Sequence, residues 1–146
     1  MKIVNKIRFA RMWPREVFDC LVSDETSSRR GKLAKGLDIL NEPGVYVLYR
    51  DDVPYYVGQG STLFTRLAKH ACFPGARYGN FWNYFSAFVV EDQKHRDEIE
   101  GILIAAMPTA NSAKPKLERK PFPKPVADMV RKIRHYRANP VISSPH

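Results

Sequence analysis

From Gly44 to His70 the chain runs GVYVLYRDDVPYYVGQGSTLFTRLAKH, a stretch that leaves the backbone few options. Val45, Val47 and Tyr49 alternate with Tyr46, Leu48 and Arg50. A period of two in β-branched and aromatic residues predicts a half-buried strand with Tyr46 and Val47 on opposite faces. Asp51, Asp52 and Pro54 supply turn chemistry, and Tyr55 to Gly58 returns as a second strand, which makes a β-hairpin. Gly58 and Gly60 then interrupt the strand pattern, and Ser61 or Thr62 can cap a helix that runs to about Ala71. On that helix Arg66 and His70 are four residues apart and share one face. Two readings are open at this level. The hairpin is a plain structural one with tyrosine hydroxyls at the core edge, or it gathers four polar groups in one place.

At 146 residues, with 44% apolar and 12% aromatic side chains, the chain suits one folded domain. Its longest apolar run, Ile102 to Met107, is six residues, against the roughly 20 that a membrane span requires. Lys2, Lys6, Arg8 and Arg11 leave no room for the apolar stretch of a secretory signal. Cys20 and Cys72 form neither a disulfide framework nor a zinc-binding pattern, so a reducing cytoplasmic location is the expectation. The net charge of +9 is unevenly spread. Residues 1–36 carry nine Lys/Arg against four Asp/Glu, residues 37–113 six against nine, and residues 114–146 nine against two. Basic flanks around a mildly acidic centre point to a polyanion partner, since neutralised phosphates release counterions. They also delimit three parts: a basic N-terminal extension (1–36), a core (37–113), and a basic Pro/Lys-rich segment with a C-terminal helix (114–146).

In the N-terminal part, Pro14 followed by REVFDCLV predicts a short helix with Val17, Phe18 and Leu21 towards the core. TSSRRGK, 26–32, reads as an exposed loop, and the spacing of Leu33, Leu37 and Leu40 suggests another helical turn or two. Beyond the hairpin and its helix, 73–80 is a turn-rich loop carrying Arg77, and Phe85 to Asp92 predicts a third strand. A helix from Gln93 to Met107 follows, with Ile99, Ile102, Leu103 and Ala106 as its core stripe. Glu100 lies beside that stripe, where a carboxylate is costly unless a cation meets it. An arginine would serve, and so would a hard metal ion. Asp97 lies close enough to act on Glu100 only indirectly. His95 is expected on the helix surface. From Pro125 a further helix places Val126, Met129, Val130 and Ile133 on one stripe, expected to pack on the core, with Arg131, Lys132, Arg134 and His135 largely elsewhere.

With these residues in place, the chain resembles the GIY-YIG nuclease superfamily. Its two signature tripeptides stand here as Gly44-Val45-Tyr46 and Tyr56-Val57-Gly58, each with Val for Ile. Arg66, His70, Glu100 and Asn111 follow in the family's order, and the resemblance spans residues 37–113. It implies an α/β domain of the α+β type, a three-stranded antiparallel sheet flanked by helices, that cuts phosphodiester bonds with one divalent metal ion. Glu100 would hold Mg²⁺ or Mn²⁺, and Arg66 would stabilise charge on the phosphoryl oxygens. Tyr46, more than Tyr56, would take a proton from the attacking water, provided nearby cations lower its pKa from about 10. Tyr56 and His70 would orient water or phosphate or relay protons, and Asn111 would hydrogen-bond within the site.

The expectation is therefore a metal-dependent DNA endonuclease, with a non-catalytic nucleic-acid-binding module of the same fold as the alternative. DNA is the expected partner, RNA is left open, no membrane is involved, and the oligomeric state is undetermined. Arg77, Lys69, Lys114, Lys116, Arg131 and Arg134 are the expected nucleic-acid contacts, made mainly to the backbone. Tyr78, Phe81, Trp82 and Tyr84 offer aromatic surface, for which packing is favoured over base stacking.

Overall fold

The computed structural model describes residues 7–19, 36–72, 81–111 and 117–140. Arg77, Lys114, Lys116, Leu21, Leu33, Tyr78 and the loops expected at 26–32 and 73–80 lie outside them. Seven elements of regular structure are described: β1 (Phe9–Pro14), β2 (Gly44–Arg50), β3 (Val53–Gly60), α1 (Leu63–Cys72), β4 (Tyr84–Val89), α2 (Gln93–Ala106) and α3 (Lys124–Ala138). Short 3-10 turns at Arg15–Asp19 and Asp38–Asn41 complete them. No helix among the described residues is long and apolar enough to cross a membrane.

The sheet has four strands rather than three, all antiparallel, in the order β1-β4-β2-β3. The added strand, β1, ends at Pro14, where a helix is expected to begin. Of that helix the described residues hold the 3-10 segment Arg15–Asp19, which places Phe18 in the core as expected; Cys20, Leu21 and Val22 lie outside them. The strand is hidden in the sequence because its register shifts between Ala10 and Trp13, which destroys the period-two pattern. At the shift Met12 takes a left-handed φ of 51°, and its N–H donates to the buried Ser86 hydroxyl at 3.1 Å. Phe9 stacks on its cross-strand partner Phe88, with ring centres 5.8 Å apart.

Strand β2 is central and covered on both faces, not half-buried, and its alternation sorts two apolar layers. Tyr46 and Leu48 join Phe18, Leu40, Leu63, Leu67, Trp82, Phe85 and Ala87 on the α1 side. Val45 and Val47 join Val57 and Val90 on the α2 side, with Ile99, Leu103, Ile104 and Met107 against them. Trp82 is core, while Phe81 is exposed and stacked on Tyr55 with centroids 5.8 Å apart. The β2–β3 turn is closed by Asp51, whose φ of 56° a short polar side chain tolerates. Asn83 braces it, accepting from the Asp51 N–H at 2.7 Å and donating to its carboxylate at 2.9 Å.

Helix α2 packs over β2 and β3. This corrects its expected stripe, because Ile102 and Ala106 lie round the helix from the inward row and are exposed. The inward row is Arg96, Ile99, Leu103 and Met107. Arg96 is buried because its guanidinium donates to Val90 O (3.0 Å), Glu91 O (2.8 Å) and Gln93 Oε1 (2.7 Å), tying the end of β4 to the start of α2. Asp92 caps the helix by accepting from His95 N–H, and that bond holds its carboxyl below the usual range.

Helix α3 begins as expected, with Pro125 in its first turn, but it buries no residue. Val126, Met129 and Ile133 are 41%, 59% and 49% exposed, so the expected packing of this stripe on the core is not seen. No hydrogen bond or ion pair joins α3 to the sheet among the described residues; the polar partners of its residues lie within the helix and its ends.

Candidate active site

Tyr46 stands in the middle of β2 opposite Gly58 of β3. A Cβ at Gly58 would collide with Cζ and Oη of Tyr46, so the missing side chain is what lets the phenol lie across the strand. The ring is 1% exposed. Burying such a ring contributes about 1.5–3 kcal/mol, whereas an unpaired buried hydroxyl would cost about 1–3 kcal/mol. The pairing is met by α1: Tyr46 Oη and His70 Nε2 are hydrogen-bonded at 2.9 Å. Tyr56 completes a triangle of rings, its centroid 6.3 Å from that of Tyr46 and 5.4 Å from that of His70.

Helix α1 is seated by Leu63 and Leu67, both fully buried, and this fixes the helix face that carries Arg66 and His70. The Arg66 stem lies over Gly60, where a Cβ would come within 2.7 Å of Arg66 Cγ. Its guanidinium is solvent-facing, has no ion-pair partner among the described residues, and is felt electrostatically at Tyr46, His70 and Glu100. His70 is pushed below its ordinary pKa of 6.5, first by burial and then by Arg66 and Lys69. The ring is therefore neutral near pH 7 and offers one nitrogen as an acceptor.

The phenol departs from the expectation that nearby cations lower it. Burial pushes the Tyr46 pKa well above its ordinary value of 10, and Tyr56 and Glu100 add to the rise while Arg66 only partly opposes it. Tyr46 is a neutral hydrogen-bonding group in this setting, not a standing phenolate.

Glu100 reaches the site from the other side of the sheet, separated from Tyr46 by the edge strand β3. It is half-buried, and no arginine or lysine forms an ion pair with it among the described residues. Desolvation raises its pKa above 4.5, a hydrogen bond from Gln59 opposes that rise, Asp97 adds to it and Arg66 lowers it. Of the two cations that its position admits, an arginine partner is not found among the described residues. Among the described residues no group of three or more His, Cys, Asp or Glu stands ready to hold a metal ion. A cation at Glu100 would draw its remaining oxygens from phosphate and water, as hard divalent ions commonly do.

Asn111 bonds to the backbone of Val57, between Tyr56 and Gly58. Its Oδ1 accepts from Val57 N–H at 3.0 Å and its Nδ2 donates to Val57 O at 2.7 Å, a two-point clasp on the exposed edge of β3. Ala110 N–H adds a bond to Tyr55 O at 2.8 Å. Asn111 therefore positions the strand that carries Tyr56 and Gly58. Lys69 is exposed beside His70. Arg131 and Arg134 are exposed on α3, Arg131 paired with Asp128 of the same helix, and neither bonds to the site.

Gln59, which the hairpin pattern does not single out, points to the α2 side with Val57 by strand alternation. A signal for it exists: Gln93, Asp97 and Glu100 form a polar row at helical spacing beside the apolar one, and such a row calls for a polar partner.

No protein-family model and no curated protein matches the chain. Among solved structures it is similar to the GIY-YIG N-terminal endonuclease domain of UvrC from Thermotoga maritima bound to magnesium, its catalytic divalent cation. The identity is 29% and the TM-score 0.42, with 47% of this chain and 84% of that one covered. A point mutant of the same domain, bound to its catalytic divalent cation, gives 29% identity, a TM-score of 0.42 and coverage of 47% and 83%. In its signature tripeptides and among solved structures alike, what this chain resembles is the GIY-YIG endonuclease domain.

Proposed function

We propose that the protein is a divalent-metal-dependent endonuclease that hydrolyses phosphodiester bonds in DNA, using one metal ion and a water activated at Tyr46. One observation carries this reading. The hydrogen-bonded Tyr46–His70 pair stands within electrostatic reach of Arg66 and, through Tyr46, of the half-buried carboxylate Glu100, and neither Arg66 nor Glu100 has an ion-pair partner among the described residues.

Glu100 fits Mg²⁺ or Mn²⁺, both of which favour oxygen donors. The chemistry such an ion supplies when bound is Lewis-acid stabilisation of charge on the scissile phosphate and its leaving oxygen. Arg66 binds the phosphate oxygens with its planar fork of donors and meets the charge that builds there. With its hydrogen on Nδ1, neutral His70 accepts the Tyr46 proton at Nε2 as Tyr46 takes one from the attacking water. The proton moves from water to Tyr46 to His70, so no free phenolate has to form against the raised pKa. Tyr56, beside both rings, orients the water or the phosphate. Asn111 keeps β3, and with it Tyr56 and the gap at Gly58, in register. Lys69 and the basic flanks hold the DNA backbone.

The test is a plasmid assay. Supercoiled DNA incubated with the protein and Mg²⁺ is nicked or linearised, and both EDTA and Glu100→Gln abolish the products. Plasmid that is retarded but uncut in every lane would make the protein a non-catalytic binder of the same fold.

A further inference from the structure

Gln59 sits on β3 between the two glycines of the site and faces α2. Its amide is fully engaged. Nε2 donates to Asp97 Oδ1 at 2.7 Å, and Oε1 accepts from Gln93 Nε2 at 2.9 Å. Gln93 Nε2 also reaches Asp97 Oδ1 at 3.0 Å, which closes a three-membered ring of side chains. The same Gln59 side chain lies near enough to the Glu100 carboxylate, one turn along α2 from Asp97, to oppose the rise in its pKa. An amide NH₂ has two hydrogens, enough to serve one carboxylate with each. Asp97 and Glu100 are three residues apart on one helix and repel each other, so a donor shared between them relieves that repulsion. The unit also fastens α2 to β3, the strand that carries Tyr56.

We infer that Gln59, braced by Gln93 and Asp97, is a positioning residue that orients the Glu100 carboxylate for a divalent cation. The inference rests on the endonuclease reading of Glu100. Its physical basis is that a carboxylate facing an amide whose own position is fixed by Gln93 and Asp97 is held to a narrower range of directions, and groups that orient a ligand commonly govern metal affinity by about 10–100-fold. Gln59 touches neither water nor phosphate in this scheme. Its loss acts on metal occupancy and leaves the Tyr46–His70 pair intact.

The experiment compares the full chain with its Gln59→Ala, Gln93→Ala and Glu100→Gln variants. Mn²⁺ alone is titrated and the free ion followed by electron paramagnetic resonance. The Mg²⁺ dependence of plasmid cleavage is measured in parallel, with thermal unfolding to establish folding. Gln59→Ala is expected to weaken Mn²⁺ binding about tenfold and to raise the Mg²⁺ midpoint of cleavage by the same factor. Its KM for DNA stays unchanged, and its turnover at saturating Mg²⁺ stays within about threefold of the parent. Gln93→Ala moves both metal measurements the same way by roughly threefold, the scale of one exposed hydrogen bond. Unchanged metal affinity in folded Gln59→Ala, with Glu100→Gln unable to bind Mn²⁺ or cleave, overturns the role of Gln59 and spares the endonuclease reading. Parental Mn²⁺ binding and cleavage in Glu100→Gln overturns both.

Discussion

Helices α1 and α3 both present arginines to solvent, but they hold them in opposite ways. Leu63 and Leu67 lock α1 into the core, so Arg66 has a fixed station near Tyr46, His70 and Glu100. Helix α3 carries more positive charge, yet it buries nothing and its Arg131 is paired within the helix. A guanidinium that is already in place when charge develops stabilises the transition state without reorganisation, while one on an undocked helix adds to attraction over a distance. Charge density alone therefore does not make a site. Arg66 is expected to govern turnover, and the α3 arginines only affinity.

The sharpest break of that comparison is Arg66→Ala. It is expected to lower kcat by about 10²–10³-fold, the scale for loss of one preorganised donor, with little effect on DNA affinity measured by gel retardation. Arg66→Lys should restore only part of the rate, because an ammonium lacks the planar fork. If Arg66→Ala changed affinity and left kcat intact, the distinction between the two helices would collapse.

Tyr46→Phe follows, with an expected loss of about 10²-fold in kcat and a small change in KM. The parent's pH–rate profile carries the sharper information. The relay requires neutral His70, so kcat should rise as His70 loses its proton and then level off. Because its pKa is depressed, this limb lies below pH 6.5. In Tyr46→Phe the limb should vanish. Stability shifts with the same sign. His70 binds a proton more readily when unfolded, so the folded state loses stability as pH falls through about 6.5, which thermal unfolding across pH would show.

How much of this was legible in the chain depends on local pattern. The β2–β3 hairpin and α1 are written in alternation, in Asp51-Asp52 and in paired glycines, because each feature acts over a few residues. Strand β1 is not legible, since its bulge at Met12 removes the alternation and its pairing partner lies more than seventy residues away. The stripe of α2 is not legible at Ile102 and Ala106, because apolar character alone does not show which way a helix with a polar inward residue, Arg96, is turned on the sheet. Arg96 takes an inward place that a hydrophobicity pattern assigns to no arginine, made possible by three acceptors at the β4–α2 junction. The positions of Tyr46, Arg66 and His70 around one point follow from strand register and helix spacing. The raised pKa of Tyr46 does not, because desolvation depends on the whole α1-side core.

Gly58→Ala tests how far the precision on the α1 side rests on backbone. A methyl group there meets the Tyr46 ring in a fully packed layer. The expected cost is about 1–3 kcal/mol, seen as a fall in the unfolding midpoint of roughly 3–10 °C. The displaced phenol would loosen the 2.9 Å bond to His70, so activity should fall further than stability alone explains. A folded variant of parental activity would show that the glycine serves only the strand.

The smallest effect belongs to α3. Arg134 is exposed and bonded to nothing in the site, so Arg134→Ala should weaken DNA binding by roughly two- to fivefold and reduce the slope of log affinity against log salt by about one. Turnover at saturating DNA should not change. Arg131 starts from a pair with Asp128, so contacting phosphate means giving up that partner, and Arg131→Ala should cost less than Arg134→Ala. Asp128→Ala, which frees Arg131, should strengthen binding slightly. A loss of turnover from Arg134→Ala would mean that α3 docks at the catalytic centre once DNA is bound. Its charge would then belong to the same fixed arrangement as Arg66, and the contrast between the two helices would hold only for the free protein.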